Sequence, residues 1–151
     1  MRGTIEEVSI DGECRQFCAM IGLHGFLDDH SGTEGIVVLN AAVPHHINQE
    51  YGEKLQVMAG QLGDNILVNG LGDLVDLTPG TLLQIKKEVL LRVVSRATHY
   101  RTMFPHFPGE VLDLLDIRGG VTCEVVVGVG ARICDGDEIE ILPMEELKGA
   151  A

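Results

Sequence analysis

Tryptophan is absent from the chain, and aromatic residues make up only 4% of it. A core built without large rings must come from Val, Ile and Leu. Cations are scarce as well: 11 Lys and Arg face 23 Asp and Glu, for a formal charge of −12 with His neutral. The basic footprint that binding to a phosphate backbone requires is therefore missing, and nucleic acid is not an expected partner. No segment approaches the ~18 consecutive apolar residues of a membrane span. The opening stretch, Met1-Arg2-Gly3-Thr4-Ile5-Glu6-Glu7, lacks the apolar core of a signal peptide. These absences make the cytoplasm the default compartment, with no membrane partner. Cys14, Cys18, Cys123 and Cys134 are then expected as thiols.

What is present is aliphatic and punctuated by glycine. The 151 residues suit one domain, which at this size buries roughly 68–70% of its unfolded surface and needs no disulfide or metal to fold. Thr4-Ile5-Glu6-Glu7-Val8-Ser9-Ile10 reads as a first strand ended by Asp11-Gly12. Residues 13–21 carry no clean period. A Gly-rich loop then feeds Ile36-Val37-Val38-Leu39, a continuous apolar run that suits a strand buried on both faces. Asn40 is placed to cap a helix toward Tyr51, with Pro44 in its first turn. Residues 54–59 fit either a strand or a helix end, and 60–63 a loop. Residues 65–68 read as a strand, and 81–85 with 88–95 as a hairpin across Lys86-Lys87. Residues 98–108 read as a loop. Val111, Leu112, Leu114 and Leu115 form a helical stripe after Pro108, ended by Gly119-Gly120. Residues 121–129 and 131–142 read as two closing strands joined as a hairpin. The expected architecture is mainly β (α+β): a closed or nearly closed barrel of about seven short strands with two or three short helices. It spans 1–143, with a flexible tail at 144–151.

Several segments together resemble the MOSC domain family, named for the C-terminal part of molybdenum-cofactor sulfurases. They are Gly22-Leu23-His24-Gly25 with His30-Ser31-Gly32; Val37-Val38-Leu39-Asn40-Ala41; the run 63–71; Thr78-Pro79-Gly80-Thr81-Leu82-Leu83-Gln84-Ile85; and Gly119-Gly120 followed by Gly136-Asp137-Glu138-Ile139-Glu140-Ile141. The resemblance implies a β-barrel associated with the molybdenum cofactor (molybdopterin), in a carrier or accessory role beside molybdoenzymes or the proteins that build the cofactor. Many members place a Cys after the strand matching 89–95 and carry or transfer sulfur. Here that loop is Arg96-Ala97-Thr98-His99-Tyr100-Arg101-Thr102-Met103-Phe104, without a Cys. Neither His nor Tyr holds a transferable sulfur atom, so sulfur transfer requires a thiol elsewhere.

The expected binding site draws on three loops: His30 from the 24–30 loop, Asp64 and Asn65, and Arg96, His99 and Arg101. Asn65 offers a donor and an acceptor to an amide-bearing ring such as a pterin. Arg96 and Arg101 suit a phosphate. Arg92, Arg96 and Arg101 also read simply as a solvated cluster. His99 is a donor, base or metal ligand. The catalytic residue is open, with His99, Cys14 and Cys18 as the candidates. Cys14, Cys18, His24 and His30 also form Cys-x3-Cys-x5-His-x5-His, which reads either as a four-ligand metal site or as packed thiols and loop histidines. Cys123, alternating with Val121 and Val125, reads as a buried small hydrophobe. Cys134, just before Asp135-Gly136, reads as structural and more exposed. His45 and His46 read as surface, since neighbours on a helix diverge.

Overall fold

The computed structural model describes residues 1–10, 13–15 (backbone only), 18–22, 24–26 and 35–143. The strands are β1 (Arg2–Ile10), β2 (Glu13–Arg15), β3 (Cys18–Met20), β4 (Ile36–Asn40), β5 (Ile66–Asn69), β6 (Leu82–Ile85), β7 (Val89–Arg96), β8 (Val121–Val127), β9 (Arg132–Cys134) and β10 (Glu138–Ile141). The helices are α1 (Ala42–Tyr51), α2 (Tyr100–Met103) and α3 (Gly109–Arg118). Seven strands run in the order β10-β6-β7-β8-β4-β5-β1, and β1 pairs with β10 through Arg2↔Glu140, Gly3↔Ile139 and Thr4↔Glu138 to close the cylinder. All neighbours are antiparallel except β4 and β5. The expected mainly β barrel of about seven strands with three helices is what the chain forms.

The pattern of side chains explains the layers. Ile36 and Val38 of β4 face the lumen, which is filled by Ile, Val and Leu from every barrel strand together with Phe26. Val37 and Leu39 face outward into a second core with Val43 and Ile47 of α1, Leu62, Ala97, Tyr100, and Val111, Leu112 and Leu115 of α3. The continuous apolar run of β4 is thus a strand covered on both faces, as its lack of alternation predicts. Asn40 Oδ1 accepts the Ala42 N–H at 3.0 Å, just ahead of α1. The β6–β7 hairpin turns on Lys86 and Lys87, both left-handed at φ 54° and 63°. Such a turn matches the twist of the flanking strands, although Asn-Gly adopts it at less cost.

Three expectations are corrected. The run 131–142 is two strands, because Asp137 Oδ2 accepts the Cys134 N–H at 2.7 Å and Gly136 turns the chain at φ 88°. Nor do 121–129 and 131–142 form a closing hairpin: β8 lies between β7 and β4, β9 pairs with β3, and β10 joins β6 to β1. Residues 98–108 are not wholly loop, since the one-turn α2 interrupts them. The ambiguous 13–21 stretch supplies β2 and β3, while 54–59 is neither strand nor helix. The expected tail, 144–151, lies outside the described residues. Among the described residues no helix is long and apolar enough to cross a membrane.

Cys18 and Cys134 are also not thiols: they stand directly opposite on β3 and β9, Cα atoms 4.0 Å apart, and are joined as a disulfide. Cross-strand partners are the positions antiparallel pairing brings close enough to bridge. Cys123 is buried in the lumen, as its alternation predicts, and burial pushes its thiol up to about 12.

Leu39→Ala is expected to cost about 2–5 kcal/mol, because Leu39 is fully enclosed between the wall and α1. Urea unfolding followed by far-UV circular dichroism checks this; a loss below about 1 kcal/mol would contradict the two-layer packing.

Candidate functional site

The strand register decides which loops meet. Arg96 at the end of β7 pairs with Val121, Val121 with Val38, and Val38 with Ile66. The end of β7 and the start of β5 therefore lie on one row around the barrel. The loop entering β5 (residues 60–65) and the segment leaving β7 (97–103) are brought together there, on the outer wall beneath the helices.

The contact between them is a hydrogen bond. His99 Nε2 lies 2.7 Å from the Leu62 carbonyl oxygen. A carbonyl only accepts, so Nε2 carries the proton. Burial holds the ring's pKa below its usual value, against the opposing pull of that carbonyl. At neutral pH the imidazole is therefore uncharged and Nδ1 keeps its lone pair. Gly63 makes the approach possible: a Cβ there would lie 2.7 Å from His99 Nε2, and its φ is +79°. The ring packs against Tyr100 at a tilt of 38° with centroids 4.2 Å apart and meets Phe104 edge-on. Tyr100 is buried in the outer core, and its hydroxyl oxygen accepts the Gly120 N–H at 2.9 Å. Burial pushes this phenol up to about 12, so it stays neutral.

Asp64 is 3% exposed. Burial raises its carboxyl to about 6, although the N–H groups of Gly60, Asp64 itself and Leu62 oppose the shift, and Glu7 adds a like-charge push. Oδ2 accepts the Gly60 N–H at 3.0 Å, which ties the loop that also presents Leu62. Asn65 braces the wall: Oδ1 accepts the Val37 N–H at 2.9 Å and Nδ2 donates to the Ser9 carbonyl at 3.2 Å. It links β4 to β1 across the start of β5.

Arg96 and Arg101 gather elsewhere, on the exposed face of α3. Arg101 donates to Asp113 Oδ1 at 2.8 Å and, through Nε, to Asp116 Oδ2 at 2.9 Å, so two carboxylates balance its charge. Arg96 donates to the main-chain carbonyl of Asp116. Arg92 pairs with Glu124 at 2.6 Å on the barrel's outer face. The structure thus brings His99 to the loop that carries Gly63, Asp64 and Asn65, and sets Arg96 and Arg101 apart from it, against α3. His24 is exposed; His30 and the Cys14 side chain fall outside the described residues. Cys18, held in its bridge, has no thiolate to offer a metal. Among the described residues no group of three or more His, Cys, Asp or Glu is placed to hold a metal ion. His45 is exposed beside Glu6 at 3.3 Å, while His46 is half-buried. Tyr100, Leu62 and Gly63 were not anticipated as parts of the site. The close glycine was visible in the run 63–71, but its contact with His99 spans 36 positions and leaves no local pattern.

Comparison with known proteins supports the fold as a MOSC-like barrel. Among solved structures, the YuaD protein from Bacillus subtilis matches with a TM-score of 0.71 and 16% identity, over 93% of this chain and 96% of that one. YiiM from Escherichia coli matches with a TM-score of 0.67 and 17% identity, over 95% of this chain and 70% of that one. YiiM from Geobacillus stearothermophilus gives a TM-score of 0.60 and 15% identity, over 93% and 72%. The sequence matches no protein-family model and no curated protein.

Two outcomes follow from the geometry. Asp64 binds its proton more tightly folded than unfolded, so as pH falls from about 6 toward 4 this group adds stability rather than removing it. Asp64→Asn removes the titration. The stability difference, variant minus wild type, should be more favourable at pH 7 than at pH 4 by roughly 2 kcal/mol. Urea unfolding at both pH values measures it, and a pH-independent difference would refute the assignment. Tyr100→Phe leaves the buried Gly120 N–H without an acceptor and should cost about 1–3 kcal/mol, read from the same unfolding curves.

Proposed function

We propose that this MOSC-like barrel binds the molybdenum cofactor or a related anionic ligand at the junction of the 60–65 and 96–101 segments, in a carrier or accessory role. The observation that supports the reading best is the contrast between the two arginines. Arg101 is neutralised by two carboxylates, whereas Arg96, among the described residues, is tied to a neutral carbonyl and keeps its charge for an anion. Three residues further along the chain is a neutral imidazole with an unshared pair on Nδ1.

Arg96 fits the phosphate end of a molybdopterin-type ligand, since its fork suits a phosphate, while His99 Nδ1 would accept from a donor group of the ligand rather than meet its phosphate oxygens. The residues do not fit the reading of Asn65 as the partner of the pterin amide, because both ends of that side chain are engaged by Val37 and Ser9. The bound group would bring the metal and dithiolene chemistry. The chain's own part is to hold the anion and to keep His99 oriented through Leu62 and Gly63. With no thiol in 96–104, this site is one for holding rather than for passing sulfur.

Titration with molybdopterin under anaerobic conditions, followed by pterin fluorescence, tests the reading. Arg96→Ala should weaken binding by about tenfold or more, the scale of one charge-assisted hydrogen bond, and Arg101→Ala should change it little. Equal affinity for wild type and Arg96→Ala would dismiss the site.

A further inference from the structure

We propose that Cys18 and Cys134 form a reversible dithiol–disulfide site that exchanges with a dithiol reductant and clamps β3 to β9. This rests on the ribbon alone and is independent of the ligand reading above.

Three observations converge. First, the bridge is accessible. Cys18 is exposed and Cys134 half-buried, at the end of a two-stranded ribbon that is separate from the closed sheet. Exposed bridges are the labile kind, and access decides which sulfur a thiolate attacks. Second, the ribbon keeps its shape without the bridge. Ile21 N–H donates to the Ala131 carbonyl and Gly130 N–H to the Ile21 carbonyl, each at 2.8 Å, while Ala19, Ile21 and Ile133 are buried in the lumen core. After reduction the two thiols therefore stay opposite each other, poised to re-form the bond. Third, the free cysteine among the described residues does not compete, since Cys123 is sealed in the core.

The chemistry balances with one partner. A thiolate of the dithiol attacks Cys18 Sγ; the Sγ–Sγ bond breaks and its electron pair leaves on Cys134 Sγ, which takes a proton from water. The second thiol of the reductant, once deprotonated, attacks the mixed disulfide and releases Cys18, which is protonated in turn. The chain gains two electrons and two protons, and the dithiol becomes a disulfide. The consequence is mechanical. Cys18 begins the strand that leads through the Ile21–Phe26 bridge to Gly25, which packs on the Gly35 carbonyl just before β4. Cys134 precedes the turn whose Asp135 carboxylate accepts the Val8 N–H. The redox state sets how firmly these two segments are tied.

The test uses the full chain, purified in air and treated or not with dithiothreitol under native conditions. Iodoacetamide labelling with peptide mass spectrometry should find Cys18 and Cys134 linked before reduction and both labelled after it, with Cys123 protected throughout. Amide exchange at 18–22 and 131–135 should speed up by about tenfold or more on reduction, while β4, β7 and β8 keep their protection. A Cys18→Ala/Cys134→Ala double variant should match the reduced protein and ignore dithiothreitol. The proposal is overturned if Cys18 labels as a free thiol from the outset, if the bridge opens only in denaturant, or if reduction leaves ribbon exchange unchanged or unfolds the whole barrel.

Discussion

Three residue pairs close this molecule. Without the seam between β1 and β10, two strands would present unpaired N–H and C=O groups at the edges of an open sheet. With it, the lumen is sealed and filled by mostly aliphatic side chains. The pairings between the other strands fix their order around the cylinder, and the seam closes it. From that order comes the row that brings Arg96, Val121, Val38 and Ile66 level with one another. The meeting of His99 with Leu62 thus follows from how β7, β8, β4 and β5 pair.

Much of this was legible beforehand, and the rest was hidden for identifiable reasons. The unbroken apolar run of β4 announces a strand covered on both faces, and Pro108 with Gly119-Gly120 brackets α3. Alternation also placed Cys123 in the lumen. Partner choice was the harder part. The β-rich composition of 131–142 does not reveal that the Asp137 carboxylate turns the chain there, nor that β9 leaves the barrel to pair with β3. Pairings at a separation of 116 residues, as for Cys18 and Cys134, have no local signature. The expectation of thiols came from compartment reasoning, which cannot see that two cysteines face each other.

The polar residues singled out from sequence divide by burial. Asp64, Asn65 and His99 lie close to one another, yet each is first a brace: for the 60–65 loop, for the β4–β5–β1 wall, and for the Leu62 carbonyl. Arg96 and Arg101 share α3, but their neighbours make them unlike. Residue type suggests what a side chain is able to do; the groups already touching it decide what capacity is left over. For Asn65 none of the capacity assigned to it is left for a ring, while for Arg96 the charge remains.

The two cores are separated by the thickness of one strand. On β4, even positions belong to the lumen and odd positions to the helical layer. Alterations in loops and helices on the outside can therefore accumulate without disturbing the packing inside, since the two sets of side chains do not touch through the wall and their energetic effects should largely add. A barrel partitioned this way can exchange one chemical role for another on its exterior while its interior stays the same. That is one physical route by which chains sharing so little sequence keep a common shape.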